Sequence, residues 1–263
     1  MGFCRDDVTN YLASLGYNVV RIPAANLLPL QLVGLQGGSS SVLGGLKGLV
    51  TSSSSALPAI GPDEPAADVS GHASSKMSAK IGLNLLGGFL SALGANASVS
   101  AQYSQAKSVQ FRFRDVLKNT VLPLDVGNFL RDGEVDEGNP ILKQYVLGNG
   151  DLFVITETLK TKDLLVSAED KSGAAVDVQL PAIQSAVGAS VTVGSDTSQQ
   201  HVITYAGSAP LVFGFKAYRV GVFGGQISLV QTGPDVVALD ADTQPAIRPS
   251  LLAQNALLDL TVG

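Results

Sequence analysis

The sequence predicts an α+β fold: an antiparallel sheet, helices at its periphery, and a short tail set apart at the C-terminus. Three observations carry this. Long stretches alternate apolar and polar residues with period two, the mark of strands with one buried face. Helical patterns are short and lie beside those stretches, at 5–16 and within 116–127 and 138–148. A charged, proline-bearing stretch, 239–249, separates a leucine-rich end from the body.

Residues 5–16 read as a helix with Val8, Tyr11, Leu12 and Leu15 on one face, capped by Asp6 or Asp7 and stopped by Gly16. Tyr17 to Pro23 is a strand ended by proline, and Leu27 to Leu35 a second one interrupted by Pro29. Gly37 to Ser41, Thr51 to Ser55 and Pro58 to Pro65 read as loops on their Gly, Ser and Pro content. Further on, Asp151 to Lys160, His201 to Tyr205 and Leu211 to Val222 are strands.

Two units stand out. From Met77 to Leu85 and again from Ala95 to Arg114, odd positions are mostly apolar and even positions mostly polar, with Gln105 and Lys107 as exceptions. Leu86 to Gly94 between them is an uncharged, glycine-rich tip. Ala174 to Leu180 and Ala189 to Val193 alternate likewise, joined by the uncharged 181–188. Strands in globular proteins run about 5–6 residues, whereas a tilted strand crossing a bilayer needs about 9–11. An uncharged tip suits a segment that enters hydrocarbon first. Alternation of this kind also fits a half-buried strand of a soluble sheet, and 78–94 satisfies the helical period in part as well, so both conformations stay open.

Charge excludes several classes. Net charge is −5, and no basic stripe with interleaved aromatics is present, which argues against nucleic-acid binding. Charged residues are 15%, below the roughly 25% of ordinary domains. No run of about 18 apolar residues marks a membrane helix, and the N-terminal residues lack a signal-peptide pattern, so a cytoplasmic chain is expected. One cysteine, Cys4, allows no internal disulfide or cysteine-rich zinc site. His72 and His201 stand outside any HExxH pattern; Gly38 to Lys47 lacks the Gly-Lys-Ser/Thr of a phosphate loop; no Gly-x-Ser-x-Gly elbow occurs; and Asp132, Glu134, Asp136 and Glu137 lack EF-hand spacing. No catalytic residue, metal or cofactor is therefore expected. Five leucines between Leu251 and Leu260 must cover apolar surface, and Ser250 can cap a short helix there; so short a helix must be held by the body.

Several stretches in order resemble the gasdermin pore-forming domain. Asp151 to Lys162 is similar to the strand leading into that family's second membrane hairpin, and His201 to Tyr205 with Leu211 to Tyr218 is similar to its later strands. The likeness covers about residues 3–235, and the short tail matches bacterial members. The resemblance implies a twisted antiparallel sheet with peripheral helices and a short inhibitory tail. It implies a pore-forming domain at 1–238, with membrane hairpins at about 70–114 and 160–205, and a cleavable linker with an autoinhibitory peptide at 239–263. Linker candidates are Asp240, Asp242, Ile247 and Arg248, and inhibitory contacts are expected from Leu251, Leu252, Leu257, Leu258 and Leu260. Cys4 is either a small buried hydrophobe or, as the resemblance implies, the site of a covalent palmitoyl group. The implied partners are an activating protease, membrane lipids and, after cleavage, further copies of a chain that is monomeric before it. The implied outcome is a β-barrel pore in the inner membrane and cell death in antiphage defence. The competing reading is a soluble β-rich binding or scaffold protein with a docked C-terminal helix.

Overall fold

The computed structural model describes residues 12–71, 76–95, 98–136, 138–146, 148–195, 201–223, 226–230, 249–253 and 257–262. The strands are β1 (Asn18–Ala24), β2 (Gln31–Gln36), β3 (Ser39–Gly45), β4 (Val50–Ser53), β5 (Glu64–Pro65), β6 (Met77–Ser78), β7 (Ser108–Arg114), β8 (Leu117–Thr120), β9 (Gly133–Val135), β10 (Asp151–Glu169), β11 (Val191–Ser195), β12 (Val202–Phe223), β13 (Gln226–Val230) and β14 (Leu260–Thr261). The α-helices are α1 (Ala79–Ala92), α2 (Pro123–Arg131), α3 (Pro140–Val146) and α4 (Leu180–Val187), and Leu46–Leu49 and Ser98–Tyr103 are 3₁₀ turns.

Two long strands organise everything. β10 and β12 pair antiparallel from Leu152↔Val220 to Ser167↔Val202, with irregularities near Ile155, Leu159 and Thr161. Bulges of this kind bend and twist a long ribbon. β2, β8 and β7 line up along the free edge of β10, while β1, β11 and β13 pair with β12. The predicted α+β sheet with peripheral helices is therefore present. The strands read separately at 201–205 and 211–222 are one continuous strand, although its register with β10 shifts between Ala206 and Leu211 and β11 pairs only as far as Gly207.

Several loop readings are corrected. Only Gly37 and Gly38 form the turn, both with φ > 0, and Ser39 to Gly45 pairs antiparallel with β2. Val50 to Ser53 pairs with β9, which lies among the carboxylates Asp132, Glu134 and Asp136. Leu117 to Thr120, read as mixed helix and loop, is a strand on β10. Composition failed here because main-chain pairing to a neighbour, not side-chain propensity, makes these strands. β1 runs one residue past Pro23 to Ala24. Gly16, at φ 84°, ends the Leu12–Ser14 helical turn as expected.

Three buried clusters result. The largest lies between the sheet and α1, Ser98–Tyr103 and α4. A second lies under α2, α3 and the Leu46–Leu49 turn. The third, built from Val20, Val33, Phe153, Ile155, Phe215 and Ala217 of four strands plus Leu258, fills the inside of a closed curl of sheet.

Candidate functional site

The tail makes that closure. β1 pairs with β12, β12 with β10, β10 with β2, and β2 with β3, leaving one edge each on β1 and β3. Leu258 bridges Val20 in parallel: its N–H donates to the Val19 carbonyl at 2.8 Å, and its carbonyl accepts from the Arg21 N–H at 2.9 Å. Leu260 and Thr261 then pair in parallel with Ser40 and Ser41, and the Ser40 hydroxyl donates to the Asp259 carbonyl at 2.6 Å. The tail is thus the last strand of a six-membered ring, and it covers both edges. An uncovered edge is a template for pairing with another chain.

The alternation of the tail matches this position. Leu258 is 5% exposed; Leu252, Ala253 and Leu260 pack with it on the cluster inside the ring, and Leu257 packs on the large cluster instead. Leu251 is exposed. None of the described tail residues is helical, so the helix capped by Ser250 does not form. The edges of β1 and β3 offer main-chain partners that a short helix cannot use. Pro249 lies against Gly16, where an added Cβ would stand 3.2 Å from the proline Cγ. The Asp259–Arg21 ion pair, 3.0 Å, is mostly exposed and contributes little. Cys4, Asp240, Asp242, Ile247 and Arg248 lie outside the described residues.

Beside the tail lies a charged knot. Glu157 accepts a short hydrogen bond from the Tyr17 hydroxyl and another from Thr120 at 3.2 Å, and pairs with Lys216 at 3.4 Å. The Lys216 ammonium sits 4.3 Å from the Tyr17 ring centre. Burial, then the Glu157 carboxylate, pushes the Tyr17 hydroxyl well above the ordinary tyrosine range. The knot is therefore a salt bridge with a neutral phenol, fully hydrogen-bonded, and joins the first turn of the chain to β10 and β12.

The two alternating units are parked in other forms. Ala79 to Ala92 is a helix whose buried Leu85, Leu86, Phe89 and Leu90 form a helical stripe. Two glycines bring it onto the sheet: a Cβ at Gly88 would stand 2.9 Å from the Arg21 carbonyl, and one at Gly82 2.8 Å from Val109 Cβ. Ser98 to Tyr103 is a 3₁₀ turn, and of the described residues in this unit only Met77–Ser78 and Ser108–Arg114 are strand. In the second unit Leu180 to Val187 is a helix. Gln184 ties it to β11, its amide donating to the Gly188 and Val191 carbonyls and accepting from the Val193 N–H. The first unit meets β12 where the Tyr103 and Tyr205 hydroxyls share a buried hydrogen bond of 2.8 Å and Phe113 stacks on Phe213.

Residues 20–234 match the family model described as the Bacterial Gasdermin Family. The chain belongs to this family. It is 44% identical over 263 residues to Gasdermin bGSDM of Vitiosangium sp. (strain GDMCC 1.1324), covering 99% of each chain. It is 32% identical to Gasdermin bGSDM of a Desulfuromonadales bacterium, covering 87% of this chain and 86% of that one. Its fold is similar to the structure of a bacterial gasdermin from Bradyrhizobium tropiciagri: TM-score 0.70 at 17% identity, over 98% of this chain and 97% of that one. As a gasdermin the chain is a pore-forming protein and not an enzyme. What the sequence did not announce is the tail's role as a strand between β1 and β3. A signal was present: Leu258 and Leu260 alternate around Asp259.

Proposed function

We propose that the chain is an autoinhibited precursor whose C-terminal peptide is removed by a partner protease cutting between about 239 and 250. The observation that carries this reading is the ring: one short tail pairs with both β1 and β3, the strands that end the β1–β12–β10–β2–β3 path. Freed of the tail, the body oligomerises, and residues about 70–114 and 160–205 refold as hairpins. Joining hairpins from successive copies into a barrel satisfies every main-chain group, as a bilayer demands. The apolar set faces lipid and the polar set the lumen. Loss of 240–263 removes Asp240, Asp242, Asp259 and Arg248, so formal charge moves from −5 to −3, a small gain toward anionic lipid. A palmitoyl chain on Cys4 adds a weak anchor, since one acyl chain binds reversibly. The pore forms in the inner membrane from an initially cytoplasmic monomer, and leakage kills the cell in antiphage defence.

The test is cleavage-coupled leakage. A chain carrying a defined protease sequence in place of residues 240–247 is mixed with dye-filled vesicles containing anionic lipid. Dye release on protease addition, and none before it, is expected. A cleaved chain that stays monomeric and leaves vesicles intact would sink the pore reading in favour of the scaffold one.

A further inference from the structure

The tail is held at its two ends by different means. At 258–261 the hold is strand pairing. At 250–252 it is one side chain, beside a single main-chain bond to β12. Asn18, the first residue of β1, is 4% exposed. A buried carboxamide requires partners for both its oxygen and its amide hydrogens. Here Nδ2 donates to the Ser250 carbonyl at 2.8 Å, and Oδ1 accepts from the Leu252 N–H at 2.6 Å. The second amide hydrogen has the Phe215 carbonyl at 3.5 Å, on the residue paired with Asn18 in the sheet. Asn18 thus bonds a carbonyl and an N–H two residues apart, which is what a β-strand neighbour does. Ser250 N–H also donates to the Ala217 carbonyl at 2.7 Å, so this stretch is gripped from both β1 and β12.

The tail atoms of this grip, on Ser250 and Leu252, lie C-terminal to Asp240, Asp242, Ile247 and Arg248, and their partners lie in the body. A cut at any of them leaves the grip whole. Cutting removes only the tether, which holds the tail at an effective concentration on the order of millimolar. We propose that Asn18 is the positioning residue that sets the lifetime of the docked tail, after a linker cut as well as before it. Cleavage and release are then two steps, and Asn18 governs the second. The leakage arm of the test rests on the pore reading above; the exchange arm does not.

The test is amide hydrogen exchange on the full chain with Asn18→Leu, which removes both bonds and strands the Ser250 carbonyl. The amide to watch is Leu258, which bonds Val19 and not Asn18. Its exchange should rise about tenfold while that of Val154, a β10 residue paired on both sides with β12 and β2, is unchanged; after protease, the lag before vesicle leakage should shorten in proportion. Unaltered Leu258 exchange overturns the proposal. Faster exchange without leakage from any cleaved chain supports the clamp and removes the pore reading. If Asn18→Leu does not fold, Leu252→Pro is compared with Leu252→Ala: both lose the leucine, but only proline lacks the N–H that Asn18 accepts. Release at least fivefold faster for proline supports the clamp, and equal release overturns it.

Discussion

The ring closed by the tail and the two units at 76–114 and 170–195 are built from similar alternating sequence and held in opposite ways. In the ring, strands are bonded on both sides through the main chain, and their inward residues fill a narrow core. In the units, much of the alternating sequence is not strand at all; it is kept as helix or 3₁₀ turn by side chains pressed on the sheet. The ring can open by losing one strand, whereas the units must surrender packed apolar faces. Fully burying one Leu or Phe is worth about 1.5–3 kcal/mol, so leaving the sheet is favourable only if another apolar surface, such as hydrocarbon, takes those faces.

The largest effect should come from breaking the ring. Leu258→Asp places a charge in its core, where an unpaired carboxylate costs several kcal/mol. The tail should undock without cleavage, seen as protease-independent vesicle leakage; leakage no faster than for the parent chain would show that the tail is not the lock. Next is the bond between the first unit and β12. Tyr103→Phe should lower stability by about 1–3 kcal/mol because the Tyr205 hydroxyl is left buried without its partner, and Tyr103→Phe/Tyr205→Phe should recover part of that loss in denaturant titrations. The two adjacent glycines of α1 give a sharper contrast. Gly87 has open space around an added Cβ, so Gly87→Ala should stabilise the helix by up to about 1 kcal/mol and slow conversion to a strand. Gly88→Ala meets the Arg21 carbonyl and should destabilise by about 1–2 kcal/mol, read as a lower Tm.

The smallest effect is titration of Asp63. Lys160, 2.7 Å away, and the Asn119 amide hold its carboxyl below the usual 3.8. A folded-state pKa below the unfolded one means that the contribution is fully present above about pH 4 and is lost as pH falls through the folded value. The side chain is 45% exposed, so solvent screens the pair and the loss is small. Asp63→Asn should flatten the stability–pH curve slightly below pH 4 and leave it unchanged near neutrality.

The long strands were legible because β-branched, aromatic and other apolar residues are dense through 151–160 and 211–222. The Ser- and Gly-rich β3 was not, since its strand state is conferred by β2 and the tail. The region 79–92 fits two periods at once, and packing of Leu85, Leu86, Phe89 and Leu90 decides for helix. The tail leucines announced docking but not its form: helix or strand depended on two edges more than 200 residues away in sequence. Asn18 gave no sign of its role, because a polar residue opening a strand is ordinary until its partners at 250 and 252 are seen.

Apart from the exposed Arg21–Asp259 ion pair, the docking bonds from Asn18, Val19, Arg21, Ala217 and Ser40 all end on main-chain atoms of the tail. Side-chain identity is therefore constrained chiefly where the tail faces inward, at Leu258 and Leu260. Outward positions such as Leu251 and Thr261 are open to change without loosening the hold. A lineage can rewrite those positions, along with the linker, to suit a new protease while its lock stays as it is.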